Sequence, residues 1–510
     1  MRIRMTDRRG FLSVLGLGAG VTLLPRQARS FVLAGINGET GTVHDLAHDP
    51  DRPEYHFIAP RNWMNDPNGP IFWKGKYHLF YQWAPNSAAG GPPHWGHAIS
   101  TDMVHWRHQP FALAPTPGGA DRDGCWTGSA VVRDGVPTVI YTGVIHRPEA
   151  RGTDDEWRQA QMLATAEDDG LLHWKKLSEP VLPGPPAGMR ATGFRDPCPW
   201  READGWYLLV GSGERDKGGC VLLYRSQDLR HWEYLHPLVH GTSTGNPTPN
   251  SVYRGDMWEC PDFFEVGGKH CLLYSSENKV SWATGEYDKK DHRFTIKRQG
   301  VVDHGGVAYY APKSFLAPAG RRILWGWVME TRPQAEFVAA GWAGAISLPR
   351  VLTIGAQGQL EMSPAVEVEK LRGTVEQIAV KPDAPFRRKL VTLRQELRIP
   401  IDLSPGAVTV RLLAGGGKVW ELAVDVAGNA VRCGDISVPL PALPWPRPGL
   451  RLFIDGSVVE AFMGGREALT SRVYGLKPGE TELEVSVAGK EHVELQMWPL
   501  EAISADRLTT

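Results

Sequence analysis

An all-β fold, a five-bladed β-propeller followed by a C-terminal β-sandwich, is the architecture predicted by this 510-residue sequence. Three observations carry the prediction. First, segments closing on an aromatic residue recur: AISTDMVHW ends at Trp106, ATAEDDGLLHW at Trp174, YRSQDLRHW at Trp232 and ATGEYDKKDHRF at Phe294, at intervals of 68, 58 and 62 residues. Second, a series of the same pace precedes it: Asp66, Gly128 in CWTGSA, Asp196, Glu259 and Tyr310 in AYYAPKSF, separated by 62, 68, 63 and 51 residues. Third, the Trp-bearing repeat stops after Arg350, and alternating apolar stretches between Gly and Pro turns take its place.

The elements follow in chain order. In residues 1–30, Arg8-Arg9 is followed by Gly10-Phe11-Leu12 and an apolar run to Leu24, which resembles a twin-arginine export signal. Its apolar region is too short to span a bilayer, and Ala28-Arg29-Ser30 fits a small-x-small cleavage pattern loosely. The expected location is therefore periplasmic or extracellular. Residues 50–354 are expected to form the propeller, because a period near sixty residues suits one strand-turn-strand blade per repeat. The polar turn and its aromatic mark the outer edge of a blade, and the second series marks its innermost strand. Five starts imply five blades, with Asp66, Asp196 and Glu259 facing one axis from blades one, three and four. The apolar runs 77–81, 138–141, 206–210 and 270–274 follow the first four starts at similar offsets, as second strands would. After a short joint around 355–370, residues 371–500 read as the sandwich, with strands expected at 391–393, 397–399, 408–412, 452–454 and 458–459.

Composition narrows the function. With 56 basic against 57 acidic residues, the chain lacks the electrostatic footprint of a nucleic-acid or anionic-membrane binder. A neutral substrate is the simpler expectation, and 19 tryptophans suit sugar rings, whose C–H faces lie flat on indole. The six cysteines, Cys125, Cys198, Cys220, Cys260, Cys271 and Cys433, lack paired metal-ligand spacing, so a zinc site is not expected; no metal and no cofactor enters the expected chemistry. An oxidising destination permits disulfides among them. Folding before export favours buried free thiols equally well.

Three acidic motifs carry the chemistry: WMNDPNGP at 63–70, FRDP at 194–197 and WECPD at 258–262. Taken singly, each is an ordinary turn or strand-end sequence. At one phase of a propeller they become a constellation, and glycosidic hydrolysis needs one carboxylate at the anomeric carbon and one acid on the leaving oxygen. Asp66, in a Gly-ended turn, suits a nucleophile kept ionised by nearby donors. Glu259, between Trp258 and Cys260, is expected to have apolar neighbours that suit an acid/base. Asp196, beside Arg195, is expected to stay charged and to grip substrate hydroxyls.

These motifs, with HLFYQ at 78–82, HWGHAIS at 94–100, CWTGSA, RRILWGW at 321–327, GWAGAISLPR at 341–350 and LRLFIDGSVVEAF at 450–462, resemble glycoside hydrolase family 32. That family holds invertases, inulinases, levanases and fructan exohydrolases, and the wording here is most similar to its acid-invertase branch. The resemblance runs from about 55 to 500. It implies a retaining double displacement in which Asp66 forms a fructosyl-enzyme, Glu259 is the acid/base and Asp196 stabilises the transition state. It also implies that Asn65, Gln82, Trp95, Trp126, Thr127, Arg195 and Trp327 line the fructose subsite. Blade packing competes for Trp95 and Trp327, and is the expected role of Trp106, Trp174 and Trp232. Two stretches depart from the family pattern. Ala84 to Pro93 is Gly- and Pro-rich where an Asn-Pro segment is usual, and Thr127 stands where Ser is common. The expected activity is an exported β-fructofuranosidase acting on sucrose or fructans. A fructosyltransferase building oligosaccharides and a non-catalytic fructan-binding protein are the alternatives.

Overall fold

The computed structural model describes residues 46–151, 156–242, 257–382, 384–401, 407–426, 428–439, 449–489, 492–505 and 508. The export signal expected over 1–30 lies outside them. Five antiparallel sheets form the N-terminal part, each ordered outward from its first strand. Those first strands are Asn62–Trp73, Cys125–Arg133, Ala191–Glu202, Glu259–Val266 and Tyr309–Leu316. They stand side by side in a closed ring, the fifth beside the first, which makes the assembly a five-bladed propeller. Every start expected from the sequence falls inside one of them. The apolar runs expected as second strands lie in Lys76–Ala84, Val136–His146, Gly205–Glu214 and Lys269–Ser276.

The aromatic repeat has a physical cause at the outer edge. In blade 1, Asp102 Oδ1 accepts the backbone N–H groups of Val104 and His105, at 3.1 and 2.9 Å. Asp228 does the same for Arg230 and His231 in blade 3, and Asp168 caps the blade 2 turn through Gly170 and His173. Each turn forces a non-glycine residue into the left-handed region: Met103 (φ 65°), Leu171 (φ 56°) and Leu229 (φ 60°). Such a residue costs on the order of 1 kcal/mol. The cost is offset because all three side chains are buried and each carbonyl accepts the indole N–H of Trp106, Trp174 or Trp232. These tryptophans are therefore packing residues, as expected.

The ring closes through backbone far apart in sequence. Trp342–Ala343 pairs in parallel with the start of the first strand, Asn62 opposite Trp342 and Trp63 opposite Ala343. The fifth sheet also runs beyond residue 354, because Leu360–Pro364 pairs with Arg350–Ile354 as its outer strand. The joint to the second domain is thus the 3-10 helix Val366–Leu371 and the few residues after it.

Two six-stranded antiparallel sheets spanning Glu376–Pro499 form the sandwich. Leu397, Leu412, Leu452, Ile454 and Leu483 fill the space between the sheets. Period-2 alternation sends Phe453 and Phe462 the other way, into the same apolar core as Tyr309, Trp325 and Trp342 of the propeller. The expected strand at 391–393 is absent: that stretch is a bend, Val391 is exposed, and pairing begins at Arg394–Ile399. A buried charge cluster reinforces the joint. Asp455 accepts the backbone N–H groups of Glu54, Tyr55 and His56, and the His56 ring bridges Asp455 (2.9 Å) and Glu460 (3.0 Å). Arg350 joins Glu460 to Asp303, both at 2.8 Å.

Candidate active site at the propeller axis

Each of the five first strands carries a one-residue bulge at the same depth. The strand advances three residues while its partner advances two: Met64 to Pro67 against Trp83 to Tyr81, Cys125 to Gly128 against Gly143 to Tyr141, Arg195 to Cys198 against Gly211 to Leu209, Glu259 to Asp262 against Ser275 to Leu273, and Tyr310 to Lys313 against Trp327 to Trp325. Bulges re-aim side chains and leave backbone groups unpaired. Hence proline, which has no N–H to pair, is tolerated at Pro197, Pro261 and Pro312, while Asp196, Cys260 and Ala311 take positive φ of 65°, 49° and 48°. In blade 2 the bulge residues are Trp126 and Thr127, and at Gly128, the first paired residue after them, an added Cβ would lie 2.2 Å from the Ile140 carbonyl oxygen.

The bulges turn the acidic motifs onto the axis. Asp66 is fully buried, and its Oδ1 accepts from Asn65 Nδ2 at 3.0 Å. Its Oδ2 accepts from Thr127 Oγ1 at 2.5 Å and Gln82 Nε2 at 3.4 Å, and Gln82 also bonds Thr127. Asp196 comes from the third blade. Its Oδ2 accepts from the Cys260 backbone N–H at 2.8 Å, and its own N–H is held by Thr142 Oγ1 at 2.9 Å. The Cys260 thiol stands between the two, 3.5 Å from Asp66 Oδ2 and 3.4 Å from Asp196 Oδ2. Four blades therefore meet within one hydrogen-bonded cluster.

Glu259 sits one residue earlier, and its surroundings differ from those expected. Arg195 grips its Oε1 through Nε (3.1 Å) and Nη2 (2.7 Å), and the Tyr310 hydroxyl donates to Oε2 at 2.5 Å. The expected apolar shell is not there. Neighbours along a strand face opposite sides, so Trp258 turns away to stack on Tyr274 at 4.0 Å and Cys260 turns toward the aspartates. Nor is Arg195 chiefly the partner of Asp196, from which its Nε stands 3.9 Å away. The guanidinium is steadied by Gln159 at 3.3 Å and lies over the Trp126 ring at 5.9 Å.

The remaining expected residues divide. Asn65, Gln82, Trp126, Thr127 and Arg195 all touch the carboxylate cluster or its immediate ligands. Trp95 is fully enclosed among Phe80 and Tyr141, and it reaches the site only by donating its indole N–H to the Trp126 carbonyl at 3.0 Å. Trp327 is buried, opposite Tyr310 in register and edge-on to Trp63. Sequence reasoning missed Trp63, Cys260 and Tyr310 as site residues. Trp63 donates to Asn65 Oδ1 at 3.0 Å. Tyr310 marked the start of blade 5, and its phase with Glu259 was the signal that would have found it. All six cysteines are free and buried.

This arrangement places an oriented carboxylate, Asp66, near an acid/base candidate held by a cation and a hydroxyl, which is the equipment of glycosidic hydrolysis. Known proteins agree with it. Residues 56–364 match the glycosyl hydrolases family 32 N-terminal domain, and residues 436–499 match the family's C-terminal domain. The chain is 36% identical to a sucrose-6-phosphate hydrolase of Escherichia coli over 87% of this chain and 93% of that protein, and 36% identical to a raffinose invertase of Escherichia coli over 83% and 89%. Among solved structures it resembles the Bombyx mori GH32 β-fructofuranosidase BmSUC1, with a TM-score of 0.76, 29% identity and coverage of 89% of this chain and 95% of that one. A mutant of that enzyme has been solved with sucrose. Fructan 1-exohydrolase IIa of Cichorium intybus, solved as a variant with 1-kestose, matches with a TM-score of 0.72 and 28% identity over 89% and 98% of the two chains.

Proposed function

The chain belongs to glycoside hydrolase family 32, and on that footing we propose that it is an exported β-fructofuranosidase that removes terminal fructose from sucrose or fructans with retention of configuration. Asp66 attacks the anomeric carbon and forms a fructosyl ester as the glycosidic bond breaks. Glu259 gives its proton to the departing oxygen, then takes one from the water that cleaves the ester. Asp196 holds fructose hydroxyls as positive charge develops on the ring. The observation that carries this reading is the convergence of the three carboxyl groups from blades 1, 3 and 4 on one axial cluster. Asn65, Gln82 and Thr127 fix the Asp66 carboxylate before substrate arrives, which lowers the entropic cost of attack. Arg195 and Tyr310 fix Glu259 in the same way.

Incubation of the purified protein with sucrose, sucrose-6-phosphate, inulin and levan tests the reading. Equal amounts of glucose and fructose from sucrose are expected. Predominant oligosaccharide at high sucrose would replace hydrolysis by transfer, and no release of fructose from any of the four would reject the activity. Export rests on Arg8-Arg9 and the apolar run behind them. It predicts that Arg8→Lys combined with Arg9→Lys leaves activity in the cytoplasmic fraction.

A further inference from the structure

Below the bulges the axis holds a cation that the reaction scheme does not use. Lys313, the first paired residue after the blade 5 bulge, is 1% exposed. Its Nζ donates to the Pro261 carbonyl at 2.7 Å. Pro261 is the second residue of the blade 4 bulge, between Cys260, whose N–H and thiol contact Asp196, and Asp262. Asp262 is itself committed: its Oδ2 accepts the Ser314 N–H at 2.7 Å, and its Oδ1 faces the Cys198 thiol at 3.6 Å. The WECPD motif thus ends in a carboxylate that faces away from the catalytic mouth, into the column that Lys313 occupies.

We propose that Lys313 is a positioning residue for the reaction, an ammonium sealed under the catalytic bulges that locks the Cys260–Pro261 turn through the Pro261 carbonyl and offsets the negative charge of Asp196 and Asp262. The inference rests on the β-fructofuranosidase reading of the site. Burial opposes charge on this ammonium, yet Cys198, Asp262, Cys260 and Asp196 together hold its pKa above the ordinary lysine value. Burial pushes the Cys198 thiol up to about 11, so the carboxylates are its counter-ions. The groups that face the column are Asp196 and Cys198 from blade 3, Cys260 and Asp262 from blade 4, and Arg322 of blade 5, which stands opposite Leu316 and is drawn to Asp262 and Cys198. Blades 1 and 2 contribute Gly69, Pro70 and Ser129, which do not ionise, and the outer rim adds the Lys289–Glu202 pair, Glu265 and His270.

Two readouts separate an electrostatic role from mere packing. In Lys313→Met the axial carboxylates lose their counter-charge, so the gap in melting temperature to the native protein should be wide at pH 7.5 and narrow at pH 4.5, where protonation relieves the repulsion. The acid limb of kcat/KM on sucrose should move up by about one pH unit, with kcat falling more than KM rises. Lys313→Arg should keep the limb in its native position. An equal melting gap at both pH values together with an unmoved limb would overturn the proposal. Were the native protein inactive on every fructoside, the functional reading would fall while the melting comparison still decided the role of Lys313. Should Lys313→Met not fold, Asp262→Asn in the native background decides instead: with one axial anion gone, the acid limb should move down, and an unmoved limb would overturn the inference.

Discussion

Replacing His56 with glutamine should remove about 3 kcal/mol of stability near neutral pH and abolish most of the alkaline decline in stability between pH 6.5 and 10. The imidazole is wholly enclosed where the propeller, the sandwich and the segment at 54–57 meet, with Asp455 on one nitrogen and Glu460 on the other. Burial alone would depress its pKa, but hydrogen bonds and charge from the two carboxylates outweigh it and raise the value from 6.5 to about 9. A raised pKa means that the folded state holds the proton more tightly. The stabilisation is therefore full below pH 6.5, still mostly present at pH 7, and lost as pH rises through 9. At 1.36 kcal/mol per unit the rise is worth about 3 kcal/mol. Removing the cation also takes the shared partner from two buried carboxylates, leaving Glu460 with Arg350 and Asp455 with backbone N–H groups, and breaking a buried pair in this way typically costs about 3–5 kcal/mol. Urea unfolding followed by tryptophan fluorescence at half-unit pH steps from 6 to 10 measures both effects. The native midpoint should fall toward that of His56→Gln and meet it near pH 10. Parallel curves across the range would refute the charged-histidine account of the joint.

Asp66→Ala should lower kcat by more than about 10³-fold while leaving the melting temperature within a few degrees of native, and unchanged turnover would refute the nucleophile assignment. Tyr310→Phe removes a charge-assisted hydrogen bond worth about 1.5–3 kcal/mol, so kcat/KM should fall roughly 10- to 100-fold; the lost donor favoured the Glu259 carboxylate, so the basic limb of the pH–rate profile should move up. Gly128→Ala should destabilise the protein by roughly 3 kcal/mol in urea unfolding and reduce turnover, because the new Cβ meets the Ile140 carbonyl and the strain falls beside Thr127.

The blades were legible because one local device repeats at their outer edge. An Asp-capped turn with a left-handed residue and an indole donating back to it is encoded within about six residues, as in Asp102, Met103 and Trp106, so it can be seen without knowing the fold. Closure was not legible. The parallel pairing of Trp342–Ala343 with Asn62 and Trp63 depends on residues about 280 apart, and no local signal marks it. The same limit moved the end of the fifth sheet from 354 to Pro364. The short segment Leu360–Pro364 is a strand because Arg350–Ile354 lies beside it, and it has no alternating pattern long enough to declare itself.

At the site, the identity of the carboxylates was legible and their electrostatic setting was not, for one geometric reason. Asp66, Asp196 and Glu259 share the blade phase, which the spacing in sequence records. What each touches is set by which side of its bulge it occupies. Asp196 lies inside the blade 3 bulge, so it faces the Cys260 N–H across the axis. Arg195 and Glu259 are the last paired residues before their bulges, which puts them at one level and lets the guanidinium reach across 64 positions in sequence to the carboxylate. Tyr310 is the last paired residue before the blade 5 bulge and meets Glu259 for the same reason. Sequence neighbours mislead here: Arg195 looked like the partner of Asp196, and Trp258 and Cys260 like an apolar shell for Glu259, yet adjacent strand residues face opposite ways. The partners of a propeller-axis residue are the residues of matching bulge phase in other blades. By that rule Cys260, Ala311 and their equivalents form one level, Arg195, Glu259 and Tyr310 the level above, and Cys198, Asp262 and Lys313 the level below, where the charge of Lys313 is enclosed with that of Asp262.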